Sequence, residues 1–231
     1  HDTTNGSTWM AYDVANNVME WSVFGDHLLL HEWGGSSGNL LNLHTFSTNE
    51  TWEVPGKWVH QSNPAGYKYE FGQFHKAGNQ ILFQSEGYYI DSNINNGNAV
   101  ETGSELWVYD LSNNTTFGFD VSPITSSLAS EKNTFPHFFH TIGTRTYFRA
   151  CDTGTTQSPS GNLCGVSASS IKHALWVYES SNTSIWRVTP AGEQMQGHWV
   201  GDQYWDLKAN PDNSNLIGLR IFDSTNHSIW W

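Results

Sequence analysis

Three histidines occupy one position in a repeated pattern. His75, His140 and His198 each stand three residues before a glycine (Gly78, Gly143 and Gly201), and a polar residue and an alternating apolar–polar run follow each glycine. A fourth copy, around Gly25, carries Ser22 at that place. If these segments are equivalent strands around a common axis, three imidazoles converge there and leave a fourth coordination position open. That donor set suits a catalytic zinc ion, and also copper or iron. A metal held in this way polarises a carbonyl or generates hydroxide near neutral pH. The competing reading makes the histidines inherited polar residues, each hydrogen-bonded to the neighbouring repeat. His137, in the run FPHFFH with His140, fits either set. His27 and His31 share a strand face, but Glu32 falls on the opposite one, so they make a poor ligand set. His1 offers an amino group and an imidazole to copper, yet it lies inside a repeat unit, which accounts for it.

Other groups point to binding. Asp91, Asn93 and Asn95 alternate, with Gly97 and then Glu101 or Glu105 downstream. Oxygen donors at alternate positions suit calcium, although the glycine comes one place later than in an EF-hand loop, and an ordinary polar loop fits as well. Trp33, Trp58, Tyr88 and Tyr89 lie beside loops, where flat rings with polar tips serve as platforms for sugars. Asn5, Asn49, Asn113, Asn114, Asn182 and Asn226 begin Asn-X-Ser/Thr patterns, which are acceptors for glycans and also the composition of tight turns. Cys151 and Cys164 bound one polar segment and are expected to form a disulfide, worth roughly 3 kcal/mol for a loop of that size. Glu20, Glu70 and Asp206 fall at unmatched positions, so no carboxylate pair for glycoside hydrolysis stands out. Nucleophile-elbow, phosphate-loop and dinucleotide patterns are absent from the sequence.

The elements that would position these groups are repeats. A strand, an Asn-centred polar turn, then Ser or Thr before an aromatic recurs five times, in register on Trp9, Trp52, Phe117, Trp186 and Trp230. Two of the intervals are lengthened by insertions at about residues 87–104 and 152–173. Each unit reads as strand, glycine turn, strand, loop, strand, Asn-rich turn, strand. Period-two alternation and the lack of helical periodicity make the chain all-β. Four antiparallel strands per unit of 40–50 residues predict a β-propeller blade. The blades are expected at about 10–55, 56–120, 121–190 and 191–231, in one domain of four blades, with five as the alternative. The segment 1–14 is a spare outer hairpin, expected to close the ring, to pair with a neighbouring molecule, or to belong to a longer array. The chain opens at His1 without an initiator Met, as expected for a trimmed product or a fragment.

Glu105-Leu106-Trp107-Val108-Tyr109-Asp110 and Ala174-Leu175-Trp176-Val177-Tyr178-Glu179, the second preceded by Thr146-Tyr147-Phe148-Arg149-Ala150, resemble the ELW-type repeats of secreted bacterial and archaeal proteins. The resemblance covers two blades well and the first and last loosely. It implies a secreted, propeller-like repeat protein and carries over no catalytic residue. The usual Asp-Gly-Thr turn is replaced here by Asn-rich turns.

Composition bounds the function. Of 231 residues only 14% are charged, 14% are aromatic, and Asp+Glu (22) outnumber Lys+Arg (10), for a net charge of −12. That charge repels nucleic acid and anionic lipid, and no apolar run is long enough to span a membrane as a helix. The first expectation is therefore a secreted, extracellular binding or assembly module rather than an enzyme. Its partners would be carbohydrate or protein, or further copies of itself joined by strand addition into homo-oligomers or fibres. The alternative is a metal-dependent enzyme using His75, His140 and His198.

Overall fold

The computed structural model describes residues 17–33, 39–55, 72–90, 99–119, 121, 134–151, 173–189, 197–210 and 213–230. These form sixteen strands, and no helix occurs among the described residues. Blade I comprises β1 (Asn17–Phe24), β2 (His27–Trp33), β3 (Asn39–Thr45) and β4 (Glu50–Glu53). Blade II comprises β5 (Gly72–Ala77), β6 (Gln80–Ile90), β7 (Ala99–Asp110) and β8 (Thr115–Phe119). Blade III comprises β9 (His137–Ile142), β10 (Arg145–Cys151), β11 (His173–Glu179) and β12 (Ser184–Arg187). Blade IV comprises β13 (His198–Val200), β14 (Gln203–Asn210), β15 (Asn213–Asp223) and β16 (Ser228–Trp230). Every sheet is an antiparallel meander with its strands in sequence order. The chain is a β-propeller built of four-stranded blades.

Two kinds of turn set the register of each blade. The first hairpin closes on Gly25, Gly78, Gly143 or Gly201, with φ between +58° and +62°. A two-residue loop opening on positive φ matches the right-handed twist of its strands, and only glycine adopts that conformation without strain. The outer hairpin closes on a left-handed residue, Asn49, Asn114, Thr183 or His227. In blades II, III and IV the preceding asparagine holds the turn. Asn113, Asn182 and Asn226 accept the amide N–H of Thr115, Ser184 and Ser228 at 3.1, 3.1 and 2.9 Å. On the other side of the same turns, Asp110, Glu179 and Asp223 accept the hydroxyls of Ser112, Ser181 and Thr225. The amide oxygens of the Asn-X-Ser/Thr patterns at these three places hold the turns.

The blades pack face to face through three seams. Leu29, Leu41 and Leu43 of blade I meet Ile81, Phe83, Trp107 and Tyr109 of blade II. Leu82, Leu106 and Val108 of blade II meet Phe148, Ala150 and Tyr178 of blade III. Tyr147, Leu175 and Val177 of blade III meet Tyr204 and Phe222 of blade IV. Period-two alternation explains the pattern, because neighbours in one strand such as Tyr147 and Phe148 face opposite blades. Buried tyrosines cross the first two seams with their hydroxyls satisfied. Trp52 Nε1 donates to Tyr109 Oη at 2.8 Å, and Tyr178 Oη donates to Gln80 Oε1 at 2.9 Å.

Among the described residues no core cluster joins blade IV to blade I. On β1, Met19, Trp21 and Val23 are 57%, 63% and 52% exposed. Phe74 and Phe139 hold the repeat position of Trp21 and pack into the first and second seams. The insertion expected at about 87–104 lengthens the β6–β7 hairpin, whose strands stay paired out to Ile90 and Ala99. The spare segment 1–14 lies outside the described residues.

Candidate functional site

The inner strands carry the three repeat histidines, and the structure pairs two of them with the following blade. His75 Nε2 is 2.8 Å from Thr141 Oγ1, which is itself 2.8 Å from Thr146 Oγ1. His140 stacks on Trp199, with centroids 4.6 Å apart and planes at 17°. Thr141 and Trp199 stand at the same place in their repeats, two residues before Gly143 and Gly201. Burial, and secondarily His140, pushes the His75 pKa down, so this imidazole is held neutral. His198 is exposed on β13. Among the described residues no three His, Cys, Asp or Glu side chains are gathered so that they could share a metal ion. The geometry of His75 and His140 is that of contacts between successive blades.

A cleft of about 200 Å³ opens at the seam between blades III and IV. Its lining is Phe138, Phe139, His140, Gly197, His198, Trp199 and Tyr204. Gly197 is required there, since a Cβ would stand 1.6 Å from the Trp205 carbonyl oxygen. Trp199 lies 5.0 Å from the Tyr147 ring and 5.4 Å from that of Tyr204, forming an aromatic wall. A bulge in β9 leaves Phe138 at φ +55° and 55% exposed. Gln73 has the same conformation at the same repeat position in β5. Bulges of this kind re-aim side chains at functional edges.

Arg149 lies under the ring of Phe138, its guanidinium carbon 5.1 Å from the centroid. It pairs across the sheet with His137 and donates from Nη2 to His173 Nδ1 at 3.1 Å. The His137 and His173 rings are 4.7 Å apart and nearly perpendicular. His137 Nδ1 is held 2.6 Å from the Phe135 carbonyl. Burial, then His137, then Arg149 push the His173 pKa down to about 4. Burial and Arg149 lower that of His137, against the opposing effect of the Phe135 carbonyl. Tyr204 is pushed up to about 12, chiefly by burial. Among the described residues, Arg149 Nε and Trp199 Nε1 are buried donors with no hydrogen-bond partner, and Tyr204 Oη, which the Gly197 backbone N–H approaches, donates to none. Such groups are rare in folded proteins and call for an explanation.

Trp33 ends β2, Tyr88 and Tyr89 lie in the distal part of β6, and Glu101 pairs with Tyr88 in β7. Asp91, Asn93, Asn95, Trp58, Asn5 and Cys164 lie outside the described residues, so the calcium set and the Cys151–Cys164 bridge fall there too. Sequence reasoning missed Arg149, His173 and Tyr204. The available signal was an arginine between the apolar Phe148 and Ala150 in a strand that alternation marks as buried, where a charge needs a purpose.

No family model and no curated protein matches the chain. Among solved structures it is similar to TolB from Acinetobacter baumannii, at 12% identity and TM-score 0.41 over 99% of this chain and 46% of that one. A puromycin-hydrolyzing peptidase of Mycobacterium tuberculosis gives 12% identity and TM-score 0.47, covering 93% and 28%. The acylaminoacyl peptidase of Pyrococcus horikoshii gives 12% and 0.44, covering 89% and 30%. The chain spans less than half the length of each.

Proposed function

We propose that the protein is a secreted β-propeller binding module that takes a saccharide in the cleft between blades III and IV. The observation that carries this reading is an aromatic wall set beside buried donors with no partner among the described residues. Apolar sugar faces stack on Phe138 and Trp199, while sugar hydroxyls accept from Trp199 Nε1 and Tyr204 Oη. The described lining is aromatic rings, imidazoles and a glycine, a composition suited to recognition. Low lysine content and the ELW-type resemblance support an extracellular setting. Calorimetry with a panel of neutral methyl glycosides tests the reading. Phe138→Ala, at an exposed position, is expected to weaken binding by about tenfold or more while leaving the unfolding midpoint unchanged. Equal binding by wild type and variant, or none by either, would overturn it.

A second reading, self-assembly, is favoured by the bare face of β1. Trp21 occupies a position that the preceding blade covers in blades II and III. Trp205 in blade IV holds the repeat position of Leu29, Leu82 and Tyr147, each of which faces the following blade. Blade IV of one copy therefore offers the kind of surface that blade I of another lacks, a head-to-tail contact. Sedimentation of the wild type is expected to show species heavier than the 26.0 kDa monomer. Trp21→Asp should return the protein to monomer. A wild type that stays monomeric at high concentration sinks this reading.

A further inference from the structure

We infer that two copies of the chain close head to tail into one eight-bladed ring, with blade IV of each docked on blade I of the other. The inference rests on the self-assembly reading for the contact and adds the number of copies and the closure. The free side of blade IV repeats, position by position, the side that each earlier blade turns to its successor. Val200 stands where Phe24, Ala77 and Ile142 enter the first, second and third seams. Leu219 stands in the ladder where Leu41, Leu106 and Leu175 are completely buried. Trp230 pairs with Ile221 as Trp52, Phe117 and Trp186 pair with Leu43, Val108 and Val177. Those three aromatics pack into the seams. Val200, Leu219 and Trp230, by contrast, are 58%, 40% and 43% exposed.

The matching side of blade I is open along its inner strand. Trp21 holds the repeat position of Phe74 and Phe139, and Val23 that of Trp199, and those three rings pack against the preceding blade. Farther out on the same face Leu30 and His44 are buried, so the docking is centred on β1. None of the exposed residues named on either side is charged, so the contact strands no ion away from water. Counting blades then selects two copies. Closed propellers typically hold four to eight blades. A single chain closed on itself would cover the faces that stand open here. Two copies make eight blades, and three make twelve, beyond that range. A two-fold axis along the ring gives two identical contacts and leaves no free face for a third copy.

The test is sedimentation of the full chain as wild type, Trp21→Asp and Val200→Asp, each alone and the two variants mixed. Wild type is expected at twice the 26.0 kDa of one copy, and at no higher mass as its concentration rises. Each variant loses both contacts of the ring and should be monomeric. Their equimolar mixture keeps one intact contact, between blade IV of the Trp21→Asp copy and blade I of the Val200→Asp copy. It should therefore form dimers, about a hundredfold or more weaker than those of wild type. Species that grow beyond two copies overturn closure while the head-to-tail contact stands. If Val200→Asp stays dimeric while Trp21→Asp is monomeric, β1 meets β1 and the ring is wrong. A mixture as tight as wild type, or one that never associates, also overturns the ring. A wild type that stays monomeric overturns ring and contact together. Should either variant fail to fold, Val23→Asp and Trp230→Asp take the same two roles.

Discussion

Replacing Arg220 by methionine is expected to lower the stability of the fold by about 3–5 kcal/mol. Arg220 is completely buried, Asp206 is 6% exposed, and the two stand opposite each other in β15 and β14 with Nη2 and Oδ2 2.6 Å apart. The pair is no great source of stability when intact, because desolvating two charges offsets most of their attraction. Removing one partner is different, since a carboxylate is then left in an apolar seam without its cation. The measurement is the urea midpoint at constant slope. A double variant, Asp206→Leu with Arg220→Met, should recover much of the loss, because two apolar side chains of similar volume need no counter-charge. If the single and double variants are equally unstable, the loss comes from packing and the charge argument fails.

Phe148→Ala is expected to cost a similar amount, about 3–5 kcal/mol, through a different cause. Phe148 is fully buried in the second seam, with Phe139 on one side at 5.6 Å and Ala150 and Tyr178 in the same cluster. Truncation removes the transfer energy of a ring and leaves a cavity between two sheets whose spacing is fixed by the rest of the seam. Phe148→Leu fills most of that space and should cost less than about half as much. Denaturant unfolding of both variants separates the cavity contribution from general intolerance. If Leu and Ala cost the same, shape rather than volume governs the seam.

The glycine turns and the Asn-rich turns were both legible in the sequence, because each depends on local backbone chemistry that a few residues dictate. Alternation within β10 likewise announced that Tyr147 and Phe148 face different ways. What the sequence did not show is which faces meet, since that depends on residues far apart in the chain. The three repeat histidines illustrate the limit. Their shared offset from Gly78, Gly143 and Gly201 correctly placed them on equivalent inner strands, but equivalence in a rotating array gives equivalent neighbours, and the neighbours are Thr141 and Trp199. Arg149, His137 and His173 come from three strands of one blade and share no offset, so no alignment of repeats could have assembled them. The paired extension of β6 and β7 was hidden for a third reason. Gly87 and Gly103, with the polar residues around them, have the composition of a loop, yet they stand opposite each other in a continuing ladder.

Among the described residues each sheet pairs only strands adjacent in the chain, and each seam joins only successive sheets. A polypeptide wired in this way can acquire its structure in the order in which it leaves the ribosome. The first meander can close before the second has been translated, and each newcomer finds its docking surface already waiting. Nascent chains would then expose one unfinished edge at a time rather than many.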